Sequence, residues 1–236
     1  SQAGWPLVSR AIAVLIIVSG LGLAMVSAIQ FVRGTAHVPA DRYYKINADR
    51  LQGQENSEQI RQKAIALYRN AELASSSPEA LRRLAGLLLM ERKANRRPRG
   101  DESSPRYRDV RNVLVASLSM EPAHALSWAY LAETELVFRR DRIKALDYLK
   151  QSYRVSPVEP DYFFYRLGLA LQCQRHWDAA LVKVLRYDIQ SLFPQQGWNK
   201  NRKPFIQLAQ ANPVLDRVTK VLLRGSPGTL RVYLSD

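Results

Sequence analysis

The feature that most constrains this chain is a run of 22 residues without a charged side chain, residues 11–32. As a helix this run would be roughly 33 Å long, enough to cross a hydrocarbon core of about 30 Å. Arg10 and Arg33 bracket the run, and Trp5 can lie at the membrane interface. We therefore predict a retained transmembrane helix within an N-terminal anchor segment, residues 1–34.

The alternative for this segment is a cleaved signal peptide, because Ser27 and Ala28 resemble a small-residue cleavage site. The apolar run is longer than a usual signal-peptide core, which favours a retained anchor. Only Arg10 lies before the run, whereas four basic residues follow it closely: Arg33, Arg42, Lys45 and Arg50. Taken alone, the positive-inside rule places the following domain in the cytoplasm.

The rest of the chain predicts an all-α fold. After a polar connector, residues 35–55, with a possible short helix at 41–51, helix signals recur through residues 56–225. Ser77-Pro78, Ser104-Pro105 and Pro213 are typical helix starts. The tail, residues 226–236, could be extended or helical. The predicted helices cover residues 56–74, 77–94, 104–120, 123–140, 143–155, 160–175, 177–193, 204–211 and 213–224.

The chain is strongly basic, with 35 Lys and Arg against 21 Asp and Glu, a net charge of +14. Such a surface attracts an anionic partner: nucleic acid, anionic lipid, acidic polysaccharide or an acidic protein face. No nucleic-acid-binding motif is present, and we predict no nucleic-acid partner. Cys173 is the only cysteine, which excludes an intramolecular disulfide. We expect it to be a packed thiol rather than a nucleophile.

The sequence contains no motif that indicates catalysis. There is no Gly-rich phosphate loop, no His-Glu-x-x-His and no Cys-x-x-Cys. His37, His124 and His176 are too scattered to suggest metal ligands. Glu133 and Glu135 are two positions apart, so they point to different helix faces, and we expect both on a solvated surface. We predict no catalytic residue, no metal and no cofactor.

Aromatic residues give the first candidate binding surface. Residues 162–165 are four successive aromatics, which on one helix cannot all face the same way. Phe164 is expected to pack between helices, so some of the others must face a neighbouring helix or solvent. We predict a partner-binding groove at Trp128, Tyr162, Phe163 and Tyr165; the alternative is that these side chains are buried packing.

Basic clusters give the second candidate surface. We predict an anionic-ligand patch at the turns between helices, with ordinary solvated basic surface as the alternative; its residues are Arg96, Arg97, Arg99, Arg139, Arg140, Arg142 and Lys144. A further basic cluster lies near the C-terminus, at Lys200, Arg202, Lys203, Arg217, Lys220 and Arg224.

Residues 56–193 resemble tetratricopeptide repeats, and two segments within this region show the resemblance most clearly. The first carries Trp128, Leu131, Ala132, Ala145, Leu149, Ser152 and Pro157; the second carries Phe164, Leu167, Gly168, Ala180, Val184 and Tyr187. Tyr187 stands where a small residue is usual in the repeat. The alternative to a repeat domain is an irregular helical bundle. The resemblance implies that small residues at Ala132, Ala145, Gly168 and Ala180 let paired helices pack closely.

A membrane anchor followed by such repeats is similar to bacterial inner-membrane tetratricopeptide proteins of envelope assembly. That resemblance implies a non-enzymatic adaptor, an accessory subunit of exopolysaccharide or O-antigen machinery, with a periplasmic domain and other membrane subunits and the bilayer as partners. The periplasmic side conflicts with the charge count above. The alternative function is direct binding of an acidic polysaccharide through the basic helix turns; an enzyme is the third possibility.

Overall fold

The computed structural model describes residues 57–72, 77–94, 105–193 and 201–235, and every regular element within those ranges is helical. The all-α prediction is therefore confirmed. The predicted transmembrane run, the connector and its possible short helix lie outside the described residues. Among the residues that are described, no helix is long and apolar enough to cross a membrane.

Ten α-helices are described. They are α1 (Ser57–Glu72), α2 (Pro78–Ala94), α3 (Pro105–Met120), α4 (Ala125–Thr134), α5 (Arg142–Val155), α6 (Phe163–Gln172), α7 (Ala179–Gln190), α8 (Arg202–Ala211), α9 (Pro213–Leu223) and α10 (Pro227–Ser235). A π-helical segment, Glu135–Arg139, continues α4, and a 3-10 turn, Gln174–His176, follows α6.

The chain divides into two compact units, residues 1–87 and 88–236, so the boundary falls inside α2. The sequence-based division had placed residues 56–225 in one domain. In the first unit, Ala64, Ile65 and Tyr68 of α1 are buried. The Tyr68 hydroxyl accepts a hydrogen bond from Arg83 at 3.5 Å.

Helix starts in the second unit follow from local side-chain chemistry. The Asp141 carboxylate accepts from the Lys144 backbone N–H at 3.0 Å, and Asp178 accepts from the Leu181 N–H at 2.8 Å. Asn212 accepts from the N–H groups two and three positions further on. Each cap satisfies backbone donors that the first helical turn leaves unpaired. These interactions reach only three residues, which is why the sequence locates the helices well.

The helices α4 and α5 pack on each other most extensively, and each carries a buried small residue. Ala132 and Ala145 are both 1 % exposed and belong to the hydrophobic core. The second pair is different. A Cβ added at Gly168 would meet no atom within 4 Å, and Ala180 is exposed. The expectation of close packing at these two positions is wrong, because α7 packs mainly on α9 rather than on α6.

The π-helical segment lies in a stretch whose spacing differs between the two segments that resemble repeats. Leu131 and Ala145 are 14 positions apart, whereas Leu167 and Ala180, at the matching places, are 13 apart. A π-helical turn accommodates one extra residue within a helix. Arg140 then ends the segment in the left-handed region, with φ of 57°.

An aromatic cluster forms the C-terminal part of the core. Phe205 of α8 packs edge-on against Phe163 of α6 at 5.7 Å between ring centroids, and lies 6.3 Å from Tyr233 of α10. Phe193 lies 6.1 Å from Tyr233. The tail that the sequence left undecided is thus helical through Ser235, and Tyr233 anchors it in the core.

Candidate partner-binding site

The predicted groove residues separate onto different faces. Tyr165 of α6 contacts Tyr130 of α4, so Tyr130 marks the face of α4 that meets Tyr165. Trp128 is two positions before Tyr130, which places it about 200° away around the helix. The Trp128 ring lies 6.1 Å from Tyr148 of α5, and its indole N–H donates to the Pro122 carbonyl at 2.8 Å. Trp128 therefore packs toward α5 and not toward Tyr165. The structure does not bring the four aromatics into one groove.

Phe163 requires a direct correction. Its side chain is 2 % exposed and packs on Phe164 and Phe205 in the core. It is the first residue of α6, and the face it occupies is covered by α8. Phe163 therefore cannot contact a partner in this conformation, and the alternative reading, buried packing, holds for it.

Tyr165 is held at the α4–α6 interface by a buried carboxylate. Its hydroxyl donates to Glu133 Oε2 at 2.6 Å, and its ring meets Tyr130 edge-on at 5.7 Å between centroids. Burial, reinforced by Glu133, raises the pKa of the Tyr165 phenol well above its usual value. Because the phenol stays protonated, it remains a donor to Glu133 at any physiological pH.

Tyr162 and Gly168 lie beside Tyr165 along α6. Tyr162 is half-buried, with its ring 6.5 Å from His124. Gly168 follows Tyr165 by about one turn and, with open space where a side chain would lie, leaves the helix backbone accessible. We name Tyr130, Tyr162, Tyr165 and Gly168 the α4–α6 tyrosine surface.

The predicted basic patch is partly neutralised from within. Glu135 is fully buried, and its carboxylate accepts from the Tyr107 hydroxyl at 3.0 Å and from Arg139 at 3.3 Å. Lys144 Nζ lies 3.7 Å from the same carboxylate. Burial and the adjacent Glu135 raise the pKa of the Tyr107 phenol. Arg139 and Lys144 each pair with this carboxylate, which offsets part of their charge, while both side chains remain partly exposed. Their assignment to an anion-binding surface stays a prediction.

Of the remaining patch residues, Arg140 and Arg142 are exposed. Arg96, Arg97 and Arg99 lie outside the described residues. Cys173 is a packed thiol, as predicted: it is buried, and burial raises its pKa to about 11, with Arg142 opposing the shift. A thiol with that pKa is protonated near neutral pH.

Sequence reasoning missed a buried polar cluster between α5, α6 and α7. Arg166 is fully buried; Nη1 donates to the Ser156 carbonyl at 2.6 Å and Nη2 lies 3.7 Å from Asp188 Oδ2. The guanidinium carbon sits 4.2 Å from the centre of the Tyr153 ring. Burial raises the pKa of Asp188 to about 6, and Arg166 and Tyr153 offset this only in part. A signal existed: Arg166 is the only charged residue in α6.

Within the described ranges, no three His, Cys, Asp or Glu side chains are placed to hold a metal ion. Comparisons with protein-family models, with curated proteins and with solved structures find nothing that matches this chain.

Proposed function

We propose that this protein is a non-enzymatic, membrane-anchored adaptor that binds a protein partner through the α4–α6 tyrosine surface. The observation that carries the proposal is the fixed arrangement of Tyr130 and Tyr165 over the buried Glu133. Tyrosine provides a large contact area at a low cost in conformational entropy, and aromatics are enriched where binding energy concentrates. A ring already held by its neighbours loses even less freedom on binding.

The rest of the proposal concerns place and partner. The uncharged run at residues 11–32 supports an anchor in a bacterial inner membrane, and the tetratricopeptide resemblance supports a periplasmic domain. The partner would be another subunit of an exopolysaccharide or O-antigen assembly complex. A topology reporter fused to the C-terminus tests the side of the membrane, since activity only on the cytoplasmic side would contradict the periplasmic assignment.

A photo-crosslinking amino acid at Tyr130 or Tyr162 tests the surface itself. We expect a discrete protein adduct in native membranes, identified by mass spectrometry, from these two positions. Tyr187 on α7 is the matched control, because it is a tyrosine that is 58 % exposed and lies outside the surface. Adducts with lipid or polysaccharide alone, or the same adducts from position 187, would contradict the adaptor proposal.

A second pair of variants makes this test quantitative. Gly168→Leu fills the open space on the surface and should lower partner affinity roughly tenfold or more, as a blocked interface centre does. Gly168→Ala adds one methyl group and should retain most of the affinity. Because neither side chain meets an atom at Cβ, both variants should remain folded. Equal affinity of the two variants for the crosslinked partner would place the interface elsewhere.

The second candidate function is direct binding of an acidic polysaccharide at the basic turn. The exposed Arg140 and Arg142 favour it, although Glu135 holds the adjacent Arg139 and Lys144. Salt discriminates between the two functions, because exposed charges separated by more than about 8 Å are largely screened at physiological ionic strength. Polymer binding should weaken steeply with added salt, whereas binding through the tyrosine surface should persist.

A further inference from the structure

Exposed apolar side chains concentrate in the last four helices. Of the ten large hydrophobic residues that are exposed in the described ranges, six belong to α7–α10. These are Tyr187, Leu208, Val214, Val221, Val232 and Leu234. They are distributed over all four helices, α7–α10.

Two of these residues share a helix face with arginines. Successive residues of a helix are about 100° apart, so positions 214, 217 and 221 of α9 and position 224, which follows its last residue in helical conformation, lie within about 80° of one another. Val214 and Val221 are about half exposed, and Arg217 and Arg224 are exposed. The opposite face, with Leu215 and Leu222 among others, is buried. We name Val214, Arg217, Val221 and Arg224 the α9 stripe.

The charges of the α9 stripe are available to a partner. Neither Arg217 nor Arg224 has an ion-pair or hydrogen-bonding side-chain partner among the described residues. The nearby carboxylate of Asp216 is already held by Lys220 and by the Tyr233 hydroxyl, both at 2.8 Å. The stripe is therefore basic and apolar, with no acid on it.

The neighbouring helix α7 adds cations beside the end of the stripe. Arg186 is exposed, and its Nη1 would lie 3.8 Å from a side-chain carbon at Gly225, the residue that follows Arg224. Lys183, one turn earlier on α7, is exposed as well. No carboxylate in the described part of the chain forms an ion pair with either.

We infer that the α9 stripe, with Lys183 and Arg186, docks on an anionic phospholipid surface. A helix that alternates arginine with exposed valine fits a bilayer interface, where the cations meet headgroup phosphates and the apolar groups enter the acyl boundary. Self-association through this face is unfavourable, because two copies of the α9 stripe would bring their arginines together. A protein interface normally requires larger anchors seated in pockets. This inference goes beyond the proposed function and involves different residues.

The test uses the full chain carrying Cys173→Ala and Val221→Cys, labelled with an environment-sensitive fluorophore. It is reconstituted with vesicles of phosphatidylcholine or of equimolar phosphatidylcholine and phosphatidylglycerol. We expect a blue shift of the fluorophore only in the anionic vesicles. A label at Ile143→Cys, which is 65 % exposed on α5, is the positional control and should not shift.

Charge variants separate a docking face from general attraction. Arg217→Gln with Arg224→Gln should lower the equilibrium constant for docking about 25-fold, since each basic residue near an anionic leaflet contributes about fivefold. Arg154→Gln with Arg175→Gln changes the net charge equally at two exposed sites outside the stripe and should have little effect.

Four results would overturn the inference. The first is no shift in anionic vesicles, and the second is an equal shift in phosphatidylcholine alone. The third is an equal loss in both arginine pairs, and the fourth is a shift that requires membrane proteins. A fluorophore that shifts only when native membrane proteins are added would indicate an acidic protein partner and would also contradict lipid docking.

Discussion

Glu133 and Glu135 show how two acids on one helix come to be buried on opposite sides. Glu133 accepts a hydrogen bond from Tyr165 of α6, whereas Glu135 accepts one from Tyr107 of α3. Both carboxylates are at most 5 % exposed. Because α4 lies between two neighbouring helices, the rotation of about 200° between these positions carries each side chain into a different interface. The expectation of a solvated face is wrong for both.

Gly168 and Ala132 occupy matching positions in the two repeat-like segments but differ in their surroundings. We expect Gly168→Ala to raise the free energy of unfolding by roughly 0.5–1 kcal/mol, because alanine favours a helix and its methyl group meets no atom. Ala132→Val should lower the free energy of unfolding by about 1–3 kcal/mol through overpacking, since Ala132 is 1 % exposed.

Chemical denaturation of both variants measures these two changes. Destabilisation of the Gly168→Ala variant would show that α6 is packed as closely as α4 at this position. It would also restore the repeat geometry that the sequence suggests for the second pair.

At the scale of elements, the π-helical segment is the junction of the second unit. Its first residue, Glu135, contacts Tyr107 of α3, Arg139 at the other end of the segment and Lys144 of α5. One buried carboxylate thus connects two helices to the segment. The extra residue of the π-helical turn changes the direction in which the side chains after α4 point around the helix axis.

Replacement of this carboxylate should weaken all three contacts together. We expect Glu135→Gln to lower the free energy of unfolding by roughly 2 kcal/mol, because the hydrogen bonds that the buried Tyr107 and the partly exposed Arg139 donate to a charged group are weakened. Asp147→Asn is the matched control, since Asp147 is exposed and its pair with Lys150 is a surface ion pair. Denaturant unfolding that shows equal effects of the two substitutions would contradict a junction role.

At the scale of the whole molecule, the buried Asp188 gives stability a dependence on pH. Burial raises the pKa of Asp188 to about 6, whereas in the unfolded chain the value is about 3.9. The folded state therefore retains this proton to higher pH than the unfolded state does. Ionisation between about pH 4 and pH 6 favours unfolding, and the contribution of Asp188 to stability falls across that window by about 2 kcal/mol.

The expected result is a smaller pH dependence in Asp188→Asn than in the wild type. The difference in free energy of unfolding between pH 4 and pH 7 should change by about 2 kcal/mol, even though the variant is less stable overall because Arg166 loses its counter-charge. Asp178 and Asp216 have lowered pKa values through a helix-cap hydrogen bond and Lys220, respectively, and act in the opposite direction below about pH 4. An unchanged difference in Asp188→Asn would contradict this assignment.

The sequence by itself determined the helices. Their starts depend on serine, aspartate, asparagine and proline acting within three or four residues, and the predicted boundaries lie within about three residues of the observed ones in most cases. It also determined the chemistry that is available: one thiol, which is buried, and a large excess of cations.

Only the tertiary structure decided which side chains are available to a partner. Phe163 is covered by α8, Arg139 and Lys144 are held by Glu135, and Gly168 faces open space. The burial of Phe163 and the open space at Gly168 depend on helices that are distant in sequence or on their spacing, and the ion pairs of Glu135 depend on its burial against Tyr107 of α3. Helical periodicity defines the faces of a helix, but burial of a face is set by the neighbour that packs on it.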